Sequence, residues 1–267
     1  MEYHIKKTAF TLAEGATHVA LLDNYRKNAF TLAEVLITLG IIGVVAAMTM
    51  PVLLTKYKDN EHAVRCKRTY SLITQAISKY QADSGTVGDV TGLFDVTKTS
   101  AEVLNNFAKY FEVVKICNDY SGGCAKYRYN ATYAYPLYNA DNDAIGNNMT
   151  VPLMILKDGS IIRISQKSSC HRIESGNDYN PDGTVKVDSD GNPIIFEWES
   201  FYCATLTYDT NGIAKPNQFG ADMFTLRINE DGTVVGAWGG EGKTSLNSIL
   251  SGGGPIYTRY TSGDKKQ

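Results

Sequence analysis

Residues 30–54 form an apolar run of 25 residues that contains a single charged side chain, Glu34. This length and this composition are what a helix needs to cross a bilayer. At about 1.5 Å per residue a helix over this run reaches roughly 37 Å, which exceeds a hydrocarbon core of about 30 Å. Because water disfavours so much apolar surface, the run must be buried in lipid or in a bundle of copies of itself.

Three details distinguish this run from a plain membrane anchor. Glu34 is an acid near the start of the apolar segment, where a charge costs a few kcal/mol and is usually kept for a function. Arg26 and Lys27 precede the run and no basic cluster follows directly, which predicts a cytoplasmic N-terminus and a translocated C-terminal part. Pro51 near the far end predicts a kink in the helix.

Residues 26–34 resemble the processing site of type IV prepilins and type II secretion pseudopilins. In that family a short basic leader ends in glycine, a prepilin peptidase cuts before phenylalanine, and the new amine is methylated. The resemblance implies a cut between Ala29 and Phe30, which makes Glu34 the fifth mature residue and Pro51 the twenty-second, where many members also carry proline. Ala29 replaces the usual glycine, and because alanine is the smallest such change we still expect cleavage.

The family's chemistry gives Glu34 a physical purpose. Cleavage leaves a positive amine on Phe30, and in a low dielectric the carboxylate of a neighbouring subunit's Glu34 is a strongly preferred partner for it. Such a pair would set the register between subunits of a filament. Two other interpretations remain open: a signal anchor with an incidental acid, and a secretory signal peptide that is cut after Ala47.

Composition narrows the function further. The formal net charge is −2, which argues against nucleic acid as a main partner. None of the common catalytic motifs for hydrolases or metalloproteases is present, and two of the four histidines precede residue 30. We therefore expect a structural or binding protein and not an enzyme.

The five cysteines predict disulfides if the C-terminal part occupies an oxidising compartment. Cys117 and Cys124 bracket a short turn-rich segment and are expected to pair, and Cys170 with Cys203 is the next pairing favoured. Sequence alone does not fix the connectivity. Cys66 is either free or replaces one of the others.

The chain divides into four expected parts: a leader at residues 1–29, a transmembrane or filament-core half of a long helix at 30–54, an amphipathic half at 55–82, and a head at 83–267. In the amphipathic half an apolar stripe recurs at helical spacing, and no proline or glycine interrupts residues 52–84. The stripe consists of Cys66, Tyr70, Ile73, Ile77 and Tyr80. The leader also contains a near copy of the cleavage motif, at residues 8–14, which no apolar run follows.

The head is predicted to be α+β, with the long helix packed on a mostly antiparallel sheet, as the resemblance to pilins also implies. The pattern predicts a helix at 101–114 and an irregular or strand segment at 127–138. Hairpins are expected at 149–165 and 224–235, each with an Asp-Gly turn, and a strand pair at 194–198 and 202–208. The tail after residue 239 is expected to be loose.

One loop, residues 208–224, is similar to a C-terminal loop of pseudopilins, which binds calcium in the major pseudopilins of secretion systems. The resemblance implies Asp209, Asn211 and Asp222 as calcium ligands, and a loop held by side-chain turns alone is the alternative. A calcium-loop pattern at residues 178–189 fails because its twelfth position is Ser189, and a phosphate-loop pattern at 239–244 fails because Ala237 replaces the required glycine.

Together these features predict a prepilin-like subunit of a type IV pilus or a type II secretion pseudopilus. The expected partners are prepilin peptidase, other pilin or pseudopilin subunits and the bacterial inner membrane, with a single membrane pass and the head in the periplasm or on a surface filament. The alternative is a membrane-anchored periplasmic binding or enzymatic domain that does not polymerise.

Overall fold

The computed structural model describes residues 31–128, 137–140, 144–145, 149–237 and 242–258. The chain separates into two compact units, residues 1–50 and residues 51–267. In the described part of the first unit, helix α1 begins at Leu32 and its side chains are almost all exposed. Helix α1 spans Leu32–Ser84 and contains Pro51.

The second unit is an α+β head built on one six-stranded antiparallel sheet, in the order β1-β4-β5-β8-β9-β10. The order of elements along the chain is α1 (Leu32–Ser84), α2 (Ser100–Phe107), β1 (Val113–Cys117), β2 (Leu137–Tyr138), β3 (Ala144–Ile145), β4 (Leu153–Leu156), β5 (Ile161–Gln166), β6 (Arg172–Asn177), β7 (Ile195–Ser200), β8 (Tyr202–Asp209), β9 (Met223–Asn229), β10 (Val234–Gly236) and α3 (Lys243–Leu250). The predicted fold class is confirmed.

The C-terminal half of α1 packs its apolar stripe on one face of this sheet. Cys66, Ile73 and Ile77 are buried in the main core, and Tyr70 and Tyr80 pack partly buried against it. Two polar contacts fix the helix to the strands: Tyr70 Oη donates to the Val234 carbonyl at 3.0 Å, and Cys66 Sγ lies 3.2 Å from Tyr208 Oη. Side chains that recur every three or four residues along α1 therefore pack against every second side chain of the strands.

Gly232 shows how tightly helix and sheet meet. It has a φ of +89°, a conformation that favours glycine, and a Cβ there would lie 3.2 Å from Ile77 Cγ2 and 3.1 Å from Val90 Cγ1. The predicted turn between β9 and β10 thus also serves as a contact with α1. The predicted hairpins at β4–β5 and β9–β10 are both present.

Three local predictions were wrong. The expected helix at 101–114 ends at Phe107, and after a 3₁₀ turn the β-branched residues that follow Glu112 begin β1 and pair with β4. Strand β7 pairs with β6 and not with β8. Part of the expected loose tail forms α3, whose Leu246 and Ile249 are buried.

Residues 172–200, which we call the arm, stand apart from the main sheet. Strands β6 and β7 form a two-stranded sheet of their own, inserted between β5 and β8. Between β6 and β7 the chain makes two tight local turns, each closed by an isolated antiparallel bridge, Tyr179 with Val185 and Val187 with Pro193. The arm is joined to the head by the Cys170–Cys203 disulfide and by a polar cluster at its base.

Glu174 is the centre of that polar cluster. Its carboxylate accepts hydrogen bonds from the Arg172 guanidinium at 2.5 Å, the Ser200 hydroxyl at 2.9 Å and the Tyr202 hydroxyl at 2.9 Å. Burial alone would raise the pKa of Glu174, but these hydrogen bonds outweigh it and lower the pKa from 4.5 to about 2. The ionised carboxylate therefore holds the arm to β8.

This cluster predicts a pH dependence of stability. Because the folded-state pKa of Glu174 is depressed, its contribution is present above pH 4.5 and is lost as the pH falls towards 2. Between pH 4.5 and pH 2 we expect the free energy of unfolding to fall by about 2 kcal/mol less in Glu174→Gln than in the unmodified chain. This figure allows for the partial exposure of the Glu174 side chain.

Urea unfolding of the full chain in detergent, followed across this pH range, measures the effect. Glu112→Gln is the matched control, because the Glu112 side chain is 80% exposed in its ion pair with Lys157. If the free energy of unfolding of both variants falls with decreasing pH as steeply as that of the unmodified chain, Glu174 does not hold the arm electrostatically.

Candidate functional site

Glu34, the acid of the apolar run, has a clear local role in the structure. Its carboxylate Oε2 accepts hydrogen bonds from the Thr31 backbone N–H and from the Thr31 hydroxyl, both at 2.9 Å. In return, the Glu34 N–H donates to Thr31 Oγ1 at 3.2 Å. This is a capping box, in which both residues satisfy free amides at a helix start.

The capping box was missed in the sequence analysis, although the signal was present. A threonine followed three residues later by glutamate, just before an apolar run, is its sequence signature. The structure forms the same motif at α2, where Thr99 and Glu102 bond reciprocally. Glu34 therefore has two candidate tasks, capping its own helix and pairing with an amine, and an experiment must separate them.

The apolar helix segment after Glu34 presents large side chains on all sides. Leu36, Ile41 and Ile42 are each at least 60% exposed, and every residue of 32–50 except the partly buried Ala46 is exposed. Among the described residues, α1 is the one helix long and apolar enough to cross a membrane. This is consistent with a membrane-anchored single-pass protein.

The cysteines form two disulfides in the head. Cys117 is bonded to Cys124 and Cys170 to Cys203, the pairs that the sequence analysis favoured. Cys66 is free and buried against Tyr208. Burial raises the pKa of the Cys66 thiol to about 12, so it is an inert part of the core at neutral pH.

The loop after β8 brings the three implied calcium ligands together. Asp209 and Asp222 have no exposed surface, and the Asn211 backbone N–H donates to Asp209 Oδ1 at 3.0 Å. Asp222 accepts the Gln218 N–H at 2.7 Å and the Asn217 N–H at 3.0 Å. Burial raises the pKa of Asp222 to about 7 despite these hydrogen bonds and one from the Asn211 side chain.

The three residues that the resemblance implied as ligands offer oxygen donors only. The donor set is two carboxylates and an amide oxygen, all of the type that Ca²⁺ prefers. Asn211 Oδ1 is buried and accepts no hydrogen bond among the described residues, and such a group usually has a missing partner. No cluster of three or more His, Cys, Asp or Glu side chains suited to a metal occurs in the described ranges, so the fit depends on Asn211.

Several sequence predictions lie outside the described residues. They include the leader, its near copy of the motif, Ala29 and Phe30, most of the segment 127–138, and part of the rejected phosphate-loop pattern. The rejected calcium-loop pattern lies on the arm, where Asp178 pairs with Lys186 at 2.7 Å and Asp182 accepts from Thr184. His171 stacks on Phe201 with ring centroids 4.5 Å apart.

Comparison with known proteins identifies the N-terminal segment. Residues 24–50 match the family model described as the prokaryotic N-terminal methylation motif. No curated protein matches the chain, and no solved structure does. The matched range contains the Ala29–Phe30 junction and Glu34, so the chain carries the prepilin-type cleavage and methylation signature. The match does not extend into the head beyond residue 50.

Proposed function

We propose that this protein is the precursor of a structural subunit of a type IV pilus or type II secretion pseudopilus. Prepilin peptidase cuts it between Ala29 and Phe30, and the subunit then leaves the membrane to join a filament. The observation that carries the proposal is the methylation motif at residues 24–50, which includes the first part of a helix whose apolar side chains lie exposed. Its work is assembly and binding, not turnover.

The proposed parts follow from this processing. Residues 1–29 are the leader, residues 30–54 enter the membrane and later the filament core, residues 55–82 pack on the head, and residues 83–267 complete the head in the periplasm or on the surface. Pro51 lies inside α1, where it leaves the Ala47 carbonyl without its usual intrahelical donor. The competing proposal is an anchored periplasmic domain that never polymerises.

Substitution of Glu34 distinguishes the filament subunit from the anchored domain. In a filament its carboxylate pairs with the Phe30 amine of a neighbouring subunit, whereas in a mere anchor it only caps α1 with Thr31. Glutamine preserves a capping box but has no charge. Glu34→Gln and Glu34→Ala are therefore both expected to lower incorporation into filaments by about tenfold or more, because each leaves a charge unpaired in a low dielectric.

The measurement is the fraction of the protein in sheared filaments compared with the membrane fraction of the host. Thr31→Ala is the control, since it removes the hydroxyl of the cap and keeps the charge, and we expect its incorporation to stay within about twofold of the unmodified chain. If Glu34→Gln assembles normally and only Glu34→Ala fails, the residue is a helix cap and the pairing is refuted.

We further propose that Asp209, Asn211 and Asp222 hold a calcium ion that fixes the loop after β8. The buried amide oxygen of Asn211, which accepts no hydrogen bond from the part of the chain that the structure describes, and the two carboxylates with no exposed surface support this assignment. The ion would neutralise the buried acids and join the end of β8 to the start of β9. The alternative is that the backbone hydrogen bonds to Asp222 hold the loop unaided.

Calcium should therefore raise the melting temperature of the full chain in detergent. At about a hundredfold excess over Kd the gain is about 2.7 kcal/mol, or roughly 5–10 °C for a domain of this size. We expect Asn211→Ala to abolish the shift, while Asp188→Asn, in an exposed turn of the arm, keeps it. Equal melting temperatures with calcium and with a chelator in the unmodified chain would contradict the assignment.

A further inference from the structure

Strand β7 of the arm has an open edge. It pairs with β6 on one side. On the other side, the strand next to β8 is β9, and it reaches only as far as Phe201, whose carbonyl accepts the Glu230 N–H at 3.1 Å. The chain then turns into β10. From Ile195 to Glu199, no backbone group on this side of β7 has a partner among the described residues.

The hydrogen-bond pattern shows which backbone groups face the open edge. The Asp178 N–H donates to the Ile194 carbonyl at 2.8 Å, directly beside the register pair that Ile195 makes with β6. Inward-facing and outward-facing residues alternate along an antiparallel strand. The N–H and C=O groups of Ile195, Glu197 and Glu199 therefore point away from β6, and such a row of backbone groups is a template for a further strand.

The two faces of β7 differ in chemistry. The register places Phe196 and Trp198 on one face of the ribbon, and Ile195, Glu197 and Glu199 on the other. The rings of Phe196 and Trp198 have centroids 5.1 Å apart, and the two residues are 50% and 37% exposed. A strand added to this edge would place alternate side chains beside the aromatic pair and beside the two glutamates.

Gly176 of β6 gives the aromatic face its shape. It stands opposite Phe196, and a Cβ at this position would lie 3.3 Å from ring atoms of Trp198. The missing side chain lets the indole lie over β6. Clustered and exposed apolar surface of this kind marks an interaction site.

The glutamate face has negative charge that β6 does not compensate. Ser175 stands opposite Glu197, and Ile173 stands opposite Glu199. Within the described part of the chain, the one basic side chain at ion-pair distance from either acid is the exposed His171, 3.7 Å from Glu199. Exposed pairs of this kind contribute little, so both carboxylates can bind an incoming cation.

The arm as a whole is also acidic. Residues 172–200 contain seven acidic and two basic side chains, a net formal charge of −5. Both basic residues, Arg172 and Lys186, already pair with acids of the arm. The field around β7 therefore attracts cationic segments and repels anionic ones.

A second copy of β7 does not suit this edge. Pairing of two such strands would bring Glu197 and Glu199 of both copies to the same face, where like charges on neighbouring strands are destabilising. Charged side chains on an edge strand prevent self-association in this way. The same two charges favour a partner of the opposite sign.

We propose that β7 binds an extended segment of another polypeptide in which basic and apolar side chains alternate. The segment lies antiparallel to β7, on the side that β9 leaves open. Its basic side chains meet Glu197 and Glu199, and its apolar side chains cover Phe196 and Trp198. Backbone hydrogen bonds provide affinity and the alternation provides specificity. A third strand also stabilises the arm, because a two-stranded ribbon is marginally stable in water.

Peptide binding to the full chain in detergent tests this site. The probe is a fluorescein-labelled peptide of about ten residues that alternates lysine and valine, and its binding is followed by fluorescence anisotropy. One control peptide has glutamate in place of lysine, and another has the lysines and the valines in two separate blocks. We expect both controls to bind at least about tenfold more weakly. Equal affinities for the three peptides, or no binding of the alternating one, would overturn the proposal.

Methylation of the peptide backbone separates strand pairing from simple attraction. In an antiparallel pair, the lysines opposite Glu197 and Glu199 direct their N–H groups towards β7, and the valines direct theirs away. N-methylation of the lysine amides should therefore weaken binding by about tenfold or more, whereas N-methylation of the valine amides should change it by less than about twofold. Equal effects of the two modifications, or a loss caused by valine methylation alone, would refute the antiparallel pairing.

Charge reversal on the protein locates the site. Glu197→Lys should weaken binding of the lysine peptide by about tenfold and strengthen binding of the glutamate peptide. Asp190→Lys is the matched control, because it changes the net charge equally at an exposed position of the arm outside β7. We expect it to change either affinity by less than about twofold. If both variants weaken binding equally, the peptide responds to overall charge and the site is refuted.

This inference does not depend on the proposed assembly into a filament. Peptide binding is measured on the isolated chain, whereas processing and assembly are measured in the host. A chain that joins filaments but does not bind the alternating peptide would overturn the strand site alone. A chain that binds the peptide but keeps its leader would overturn the filament subunit alone.

Discussion

A helix that is apolar on every side cannot be left in water, and this constraint governs the rest of the molecule. Residues 32–50 expose nearly all of their leucine, isoleucine and valine side chains. At about 25 cal/mol per Å² of apolar surface, the free energy of covering them exceeds that of any single contact in the head. Lipid can cover this surface, and so can copies of the same helix, which is what makes transfer from a membrane to a filament physically reasonable.

Helix α1 also organises the head, because its second half supplies one wall of the core. The change from an all-apolar to a striped surface occurs within one continuous helix, and the stripe meets the alternating face of the antiparallel sheet. Polar contacts such as the Tyr70 hydroxyl to the Val234 carbonyl add direction to this packing. The same helix also lines a groove of about 640 Å³ on the head, together with Asp158 and Thr210.

The features predicted well from the sequence were those with a local physical cause. The helical stripe of α1 and the Asp-Gly hairpins follow from spacing and turn chemistry. The wrong strand pairing of β7 has a different origin: its partner, β6, lies 18 residues earlier, and the segment between them forms two local turns of its own, so the pairing of β6 with β7 is not a neighbouring hairpin. Helix α3 was missed because only Leu246 and Ile249 mark its buried side among serines and glycines.

The residues of the candidate site also differ in whether a local sequence pattern could identify them. Glu34 could be singled out because a charge in an apolar run is conspicuous, and its capping partner Thr31 was readable from the spacing although it was overlooked. The Asp209–Asp222 loop came from a resemblance, and only the fold shows that both acids lack exposed surface.

The central claim is that the apolar helix begins at a processed, methylated residue. Mass spectrometry of the N-terminal peptide from the host membrane fraction tests it most directly. The account predicts a mature chain that starts at N-methylated Phe30. A chain that starts at Met48 would instead show an ordinary secreted protein, and an intact leader would show an anchored domain in which Ala29 prevents cleavage; either result would contradict the account.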